Sequence, residues 1–229
     1  MQFSISLGSK IRVLAEVLIV FTIVLGTGKA LYEARQSAFI SRYLFILIPV
    51  LFVYVPTVII SIGKRQIEDY GITIRRWWGG VGYTLLLGAV TFPPFFLGYW
   101  LYRSLGFTLG LGTGGAPPEG WMALAVYQVF FIALPEEYFY RGYVQSRLNQ
   151  AFPRGFRVLK VDFGWALIVA ALLFALGHFI ISLQWWQMNV LFPGLLFGWL
   201  RERSGSIIAP TLFHGLCNIY IIALRAIFA

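Results

Sequence analysis

Pro135-Glu136-Glu137-Tyr138-Phe139-Tyr140-Arg141 follows an apolar run, Leu124 to Leu134, with the composition of a bilayer-crossing helix. A charged side chain at membrane depth costs ~2.5–3.5 kcal/mol on insertion scales. Two adjacent carboxylates at such a place call for a function. The chain has only two histidines, His178 and His214, and both lie inside other hydrophobic runs. The stretch therefore sets two expectations: a membrane protein, and a polar site assembled from several of its helices.

Composition agrees. Of 229 residues, 59% are hydrophobic and 12% charged, and the mean hydropathy is +0.77. No soluble domain of this size needs so much apolar surface, whereas several spans of ~20 residues use it. Eight Trp and twelve Tyr suit the aromatic belts at bilayer interfaces. The net charge of +9 does not point to nucleic acid, because the basic residues sit in short links between apolar runs. There they set topology and meet anionic lipid. Cys217 is the single cysteine, so no internal disulfide forms.

The expected fold is an all-α polytopic bundle in one integral membrane domain, residues 1–229. About seven spans are expected, eight if one is re-entrant. They are Ile11 to Leu31, Tyr43 to Ile62, Val81 to Tyr102, Trp121 to Pro135, Phe163 to Leu183, Trp185 to Leu200 and Ser206 to Phe228. The fourth helix is expected to continue to about Asn149. Residues 1–103 hold the first three spans and 120–222 the polar-punctuated core. Pro49, Pro56, Pro93 and Pro94 are tolerated as kinks. Ser104 to Gly120, rich in Gly and Pro, and the basic stretch Ala151 to Asp162 are expected as loops. Glu16, inside the first run, is expected to pair with Arg12 at i−4. Trp77-Trp78 is expected as an interface anchor.

With the N-terminus inside, the cytoplasmic segments carry Lys10, Arg12, Lys64, Arg65, Arg75, Arg76, Arg141, Arg147, Arg154, Arg157, Lys160, Arg201 and Arg203. The outer segments carry Lys29, Arg35, Arg42, Arg103 and Arg225. That is 13 against 5, a clear positive-inside bias that puts the C-terminus outside. The signal-poor architecture points to a multi-pass protein of a prokaryotic cytoplasmic membrane.

Glu137 and Arg141 lie four apart, with the acid N-terminal, the favourable order for a helical ion pair. Glu136 is turned ~100° away and has no obvious partner. Burial of such a carboxyl is the usual route to a general base. A pair of interface carboxylates held by Arg141 is the competing account. His214 and Asn218 share a helical face, and imidazole with carboxamide suits oxyanion stabilisation. A histidine in a membrane helix also serves as hydrogen-bonding glue. Gly177, beside His178, suits close helix approach.

Taken in order, Glu136-Glu137 with Arg141, Phe174 with His178, and His214 with Asn218 resemble the motifs of the CAAX protease and bacteriocin-processing family of intramembrane endopeptidases. The likeness covers about Gly120 to Ile222. It implies that Glu136 and His178 activate a water, that His214 and Asn218 form the oxyanion site, and that Glu137 and Arg141 support them. The catalytic residues then lie on the fourth, fifth and seventh spans. The implied substrate is a membrane-anchored protein or peptide, cut near its membrane-embedded tail, with lipid as the other partner. No cofactor is expected. Zinc held by Glu136, His178 and His214 is the alternative, since catalytic zinc takes three protein ligands, but the H-E-x-x-H helix that usually gathers them is absent. A non-proteolytic immunity or scaffold protein of the same fold and a Glu/His proton relay in a transporter are the rival functions. At ~1.5 Å per residue, His178 is expected two to three turns away from the level of Glu136.

Overall fold

The computed structural model describes residues 6–74, 77–107 and 120–228. Among the described residues, seven helices carry the fold: α1 Leu7–Glu33, α2 Ala38–Ile62, α3 Trp77–Ser104, α4 over residues 121–149, α5 Trp165–Ser182, α6 Leu191–Ser204 and α7 Ile208–Ile227. Among them α1, α2, α3, α5 and α7 are each long and apolar enough to cross a membrane. The expected sixth span differs. Trp185–Val190 is a 3-10 turn, and α6 has only 14 residues, ~21 Å of helix against a hydrocarbon core of ~30 Å.

Helix α4 is not uniformly α-helical. Its α-helical pieces are Trp121–Val126, Leu134–Glu137 and Ser146–Asn149, and π-helical turns over Tyr127–Ala133 and Tyr138–Gln145 join them. Pro135 gives a reason for the first π stretch. It has no N–H to donate, and its ring crowds the carbonyl four residues back. The backbone widens there, and the Leu134 N–H reaches Val129, five residues earlier. In the second stretch, the Ser146 hydroxyl donates to the Arg141 carbonyl, again five residues away. Such windings are rare and often accompany functional sites. Nothing in the hydropathy pattern announces them.

The basic stretch after α4 is a departure from an all-α fold. Arg154–Val158 (β1) pairs antiparallel with Val161–Gly164 (β2). Leu159 and Lys160 both take positive φ, 51° and 64°, which makes a tight hairpin turn without the Asn-Gly or Asp-Gly pair that usually marks one. The segment expected to lie in a loop from Ser104 to Gly120 falls largely outside the described residues.

Neighbouring helices cross-link at matched levels, which fixes two ends of the bundle. Near one end, Glu16 of α1 binds Arg65, just past α2, and Arg147 of α4. There too Gln145 of α4 donates to the Gly198 carbonyl of α6. At the other end, Lys29 of α1 donates to the Ile181 carbonyl of α5, and Arg103 of α3 to the Phe228 carbonyl. The first end holds the start of α1, the β-hairpin and the α6–α7 turn. The second holds the end of α1, the start of α2 and the Trp185–Val190 turn.

Glu16 does not pair with Arg12, which instead donates to the Gly8 carbonyl. Its carboxylate accepts from two guanidinium groups, at 2.6 and 2.8 Å from Arg65 and 3.0 and 2.9 Å from Arg147, and from the Tyr143 hydroxyl. Fork-to-carboxylate geometry outweighs a local i−4 contact. Substituting Glu16→Ala leaves both arginines facing each other across α1. It is expected to cost ~1–3 kcal/mol, less than a fully buried pair because the side chains keep some solvent contact. A thermal melt in detergent checks this, with a lowered Tm expected.

Candidate active site

Glu136 and Glu137 occupy the short α-helical piece of α4 between its two π stretches. The helical repeat sends them to different places. Glu137 is fully buried. Its Oε1 accepts from Arg141 Nη1 at 3.0 Å and lies 2.9 Å from His214 Nδ1. With the carboxylate as acceptor, His214 donates through Nδ1, which leaves Nε2 facing the other way. Arg141, also fully buried, donates through Nη2 to the Gly194 carbonyl at 2.9 Å. Its guanidinium lies 4.5 Å from the Phe174 ring centroid and 5.2 Å from that of Phe197. Burying an arginine is tolerable because an anion, a carbonyl and two aromatic faces surround it.

Glu136 turns to the other side. Its side chain is 22% exposed and faces a cavity of ≈ 250 Å³ between α1, α2, α4 and α5. His178 lines the same cavity, with Tyr140 and Gly177. The Nδ1 of His178 lies 3.0 Å from the Phe174 carbonyl. That contact requires an N–H on Nδ1, so in the neutral ring Nε2 carries the free lone pair. The expected difference in level between Glu136 and His178 is bridged by the cavity. It extends from Glu136 to Ser182 and Gln187, and His178 lies one turn before the end of α5.

His214 stands behind Glu136. Its Nε2 is 3.8 Å from Glu136 Oε2, too long for a hydrogen bond but close enough for charge on one to act on the other. The imidazole stacks on Phe197 at 4.7 Å and meets the edge of Phe174 at 5.7 Å. His214 is not among the residues lining the cavity. Asn218, one turn further along α7, donates to Gln128 Oε1 of α4 at 3.0 Å. Together with Gly215, whose missing side chain lets Val129 pack against α7, this bond fixes the register that brings His214 to Glu137. The structure thus joins Glu137, Arg141 and His214 in one buried network and sets Glu136 and His178 on one cavity. It leaves Asn218 at the α4–α7 seam.

Two carboxylate oxygens, Glu136 Oε2 and Glu137 Oε2, are buried with no hydrogen-bond partner among the described residues. Buried polar atoms are almost always paired, so each such orphan marks a place for water or a ligand group.

The donor set does not fit a resident zinc. Among the described residues, no three His, Cys, Asp or Glu side chains come together as metal ligands.

Several contributors lay outside the sequence motifs. Tyr140, four residues after Glu136, shares its helix face and lines the cavity. A side chain at Gly177 would collide with the Tyr140 hydroxyl, so this glycine makes room for it. That hydroxyl forms no hydrogen bond to another described residue. The i, i+4 spacing from Glu136 was the signal that could have singled Tyr140 out. Phe197 had no such signal, because its role is to lie flat against an imidazole from another helix.

The family model described as type II CAAX prenyl endopeptidase Rce1-like matches residues 118–220. No curated protein and no solved structure matches the chain. All of the polar network and both carboxylates of the cavity helix fall inside the matched segment. Over residues 118–220, this integral membrane protein is similar to the Rce1-like family of type II CAAX prenyl endopeptidases.

Proposed function

We propose that the chain hydrolyses a peptide bond beside the membrane-embedded tail of a protein or peptide substrate. The observation that carries this is the shared cavity: an accessible carboxylate, Glu136, and a histidine with a free Nε2, His178, line one mostly apolar pocket. Carboxylate plus imidazole is a pair suited to taking a proton from water. In the proposed reaction that water attacks the scissile carbonyl, and Glu136 returns the proton to the leaving amine.

The oxyanion donors are His214 and Asn218. Their position behind Glu136 requires the substrate carbonyl to reach past that carboxylate toward α7. There His214 Nε2 would be the donor with both ring nitrogens protonated, the Nδ1–H staying on Glu137. Losing one oxyanion donor typically costs ~10²–10³ in rate, so Asn218→Ala is expected to retain a trace of activity. Tyr140 is assigned a positioning role, with its free hydroxyl holding the water or the substrate backbone. Tyr140→Phe removes one oxygen from a buried ring and is expected to lower kcat about tenfold, the value of one neutral hydrogen bond, with Tm unchanged. An unaltered kcat would remove Tyr140 from the reaction.

The direct test uses purified protein in detergent with a fluorogenic peptide that carries a membrane-inserting tail. Cleavage by the wild type and none by His178→Ala supports the endopeptidase. If neither cleaves, and liposomes holding the wild type conduct protons, the relay of a transporter is the better account.

A further inference from the structure

We infer that the cavity opens on the non-cytoplasmic face of the membrane, so that the bond cut lies in a segment presented from that side. This rests on the cavity being the proteolytic site. It combines two observations that were independent until the fold joined them.

The first is direction. The floor of the cavity is Glu136 and Tyr140, in the middle of α4. Its other limit is Tyr32 near the end of α1, Ser182 at the end of α5, and Gln187 in the turn beyond. All three belong to one end of the bundle. Next to Gln187, Trp185 and Trp186 are exposed, Trp185 by 74%, as expected of side chains seated at a bilayer interface. The rim is therefore at one membrane surface.

The second is charge. The opposite end carries Lys10, Arg12, Lys64 and the hairpin's Arg154, Arg157 and Lys160. Among the described residues, with the fully buried Arg141 set aside, basic residues favour that side ten to five, and such an excess marks the cytoplasmic face. The rim lies at the other. A soluble cytoplasmic tail would meet the end of the bundle opposite the cavity's rim. The substrate class that fits is a protein whose cleavable segment emerges next to its membrane anchor on the non-cytoplasmic side. The largely apolar lining favours apolar residues around the scissile bond.

The test uses the full chain in its native membrane, in a Cys217→Ser background. Gln184→Cys and Ser37→Cys report the rim end, and Lys160→Cys reports the hairpin end. Intact cells are treated with a membrane-impermeant thiol reagent, with permeabilised cells as the control for reactivity. The expected result is labelling of Gln184→Cys and Ser37→Cys in intact cells, and of Lys160→Cys only after permeabilisation. Labelling of Lys160→Cys in intact cells overturns the inference, whether alone or together with the other two. A further variant, Gln187→Cys, ties direction to the site: reagent added outside intact cells is expected to abolish the peptide cleavage measured after solubilisation, and full retention despite labelling would overturn it. The labelling pattern does not depend on proteolysis. An inactive protein with the expected pattern defeats the protease proposal alone, and an active protein with the reverse pattern defeats only the direction.

Discussion

Glu136→Gln is expected to lower cleavage by at least ~10²–10⁴-fold, the range lost with a general base, while leaving the fold intact. The substitution keeps the shape and removes the charge. Nothing in the packing depends on that charge, since Oε2 has no hydrogen-bond partner among the described residues and His214 Nε2 stays 3.8 Å from it. Tm in detergent should match the wild type. The same peptide assay, run with variant and wild type side by side, decides it. Wild-type turnover by Glu136→Gln protein would mean that the carboxylate facing the cavity is not the base, and the assignment of the whole site would fall with it.

Glu137→Ala is expected to act the opposite way round, on stability first. Here the carboxylate is fully buried between a guanidinium and an imidazole. Its removal leaves Arg141 as a buried charge with only the Gly194 carbonyl and two rings for company. Breaking a buried pair by deleting one partner typically costs ~3–5 kcal/mol, a large part of the stability of most domains. Glu137→Gln keeps an acceptor for Arg141 and should cost clearly less. Thermal melts of the two variants check this ordering. Equal Tm values for Glu137→Ala and wild type would show that the network is not structural. The adjacent residues are thus distinguished by which measurement moves: rate for Glu136, Tm for Glu137.

Much of this division was legible in the sequence. The i, i+4 order of Glu137 and Arg141 anticipated their ion pair, and the helical repeat separated Glu136 from it. Apolar runs located the long helices to within a few residues. What escaped reading was tertiary. Glu16 had a local candidate in Arg12, but its two partners lie 49 and 131 residues away. His214 could be assigned to the site by motif, yet its bond to Glu137 spans 77 residues between helices. No pattern along one helix encodes that contact. The hairpin was missed because a run of arginines and lysines with no turn dipeptide has the composition of a solvated link. The sixth span was drawn as one uniform helix because the hydrophobicity of Trp185 to Leu200 runs on through an interfacial turn and a short helix.

The two π stretches of α4 also bear on which changes of chain length the protein can accept. A π turn holds a residue more than the α repeat needs. Deleting one residue from Tyr138–Gln145 would let the backbone relax to ordinary α geometry, with every amide still bonded. Because the π turn already takes up the surplus residue, the helix beyond it would keep its orientation, with Arg147 still facing Glu16 and Asn149 still facing Glu202 of α6. The residues inside the stretch, Arg141 among them, would instead change place. A chain shortened there is therefore expected to keep the frame of the bundle and lose the polar network.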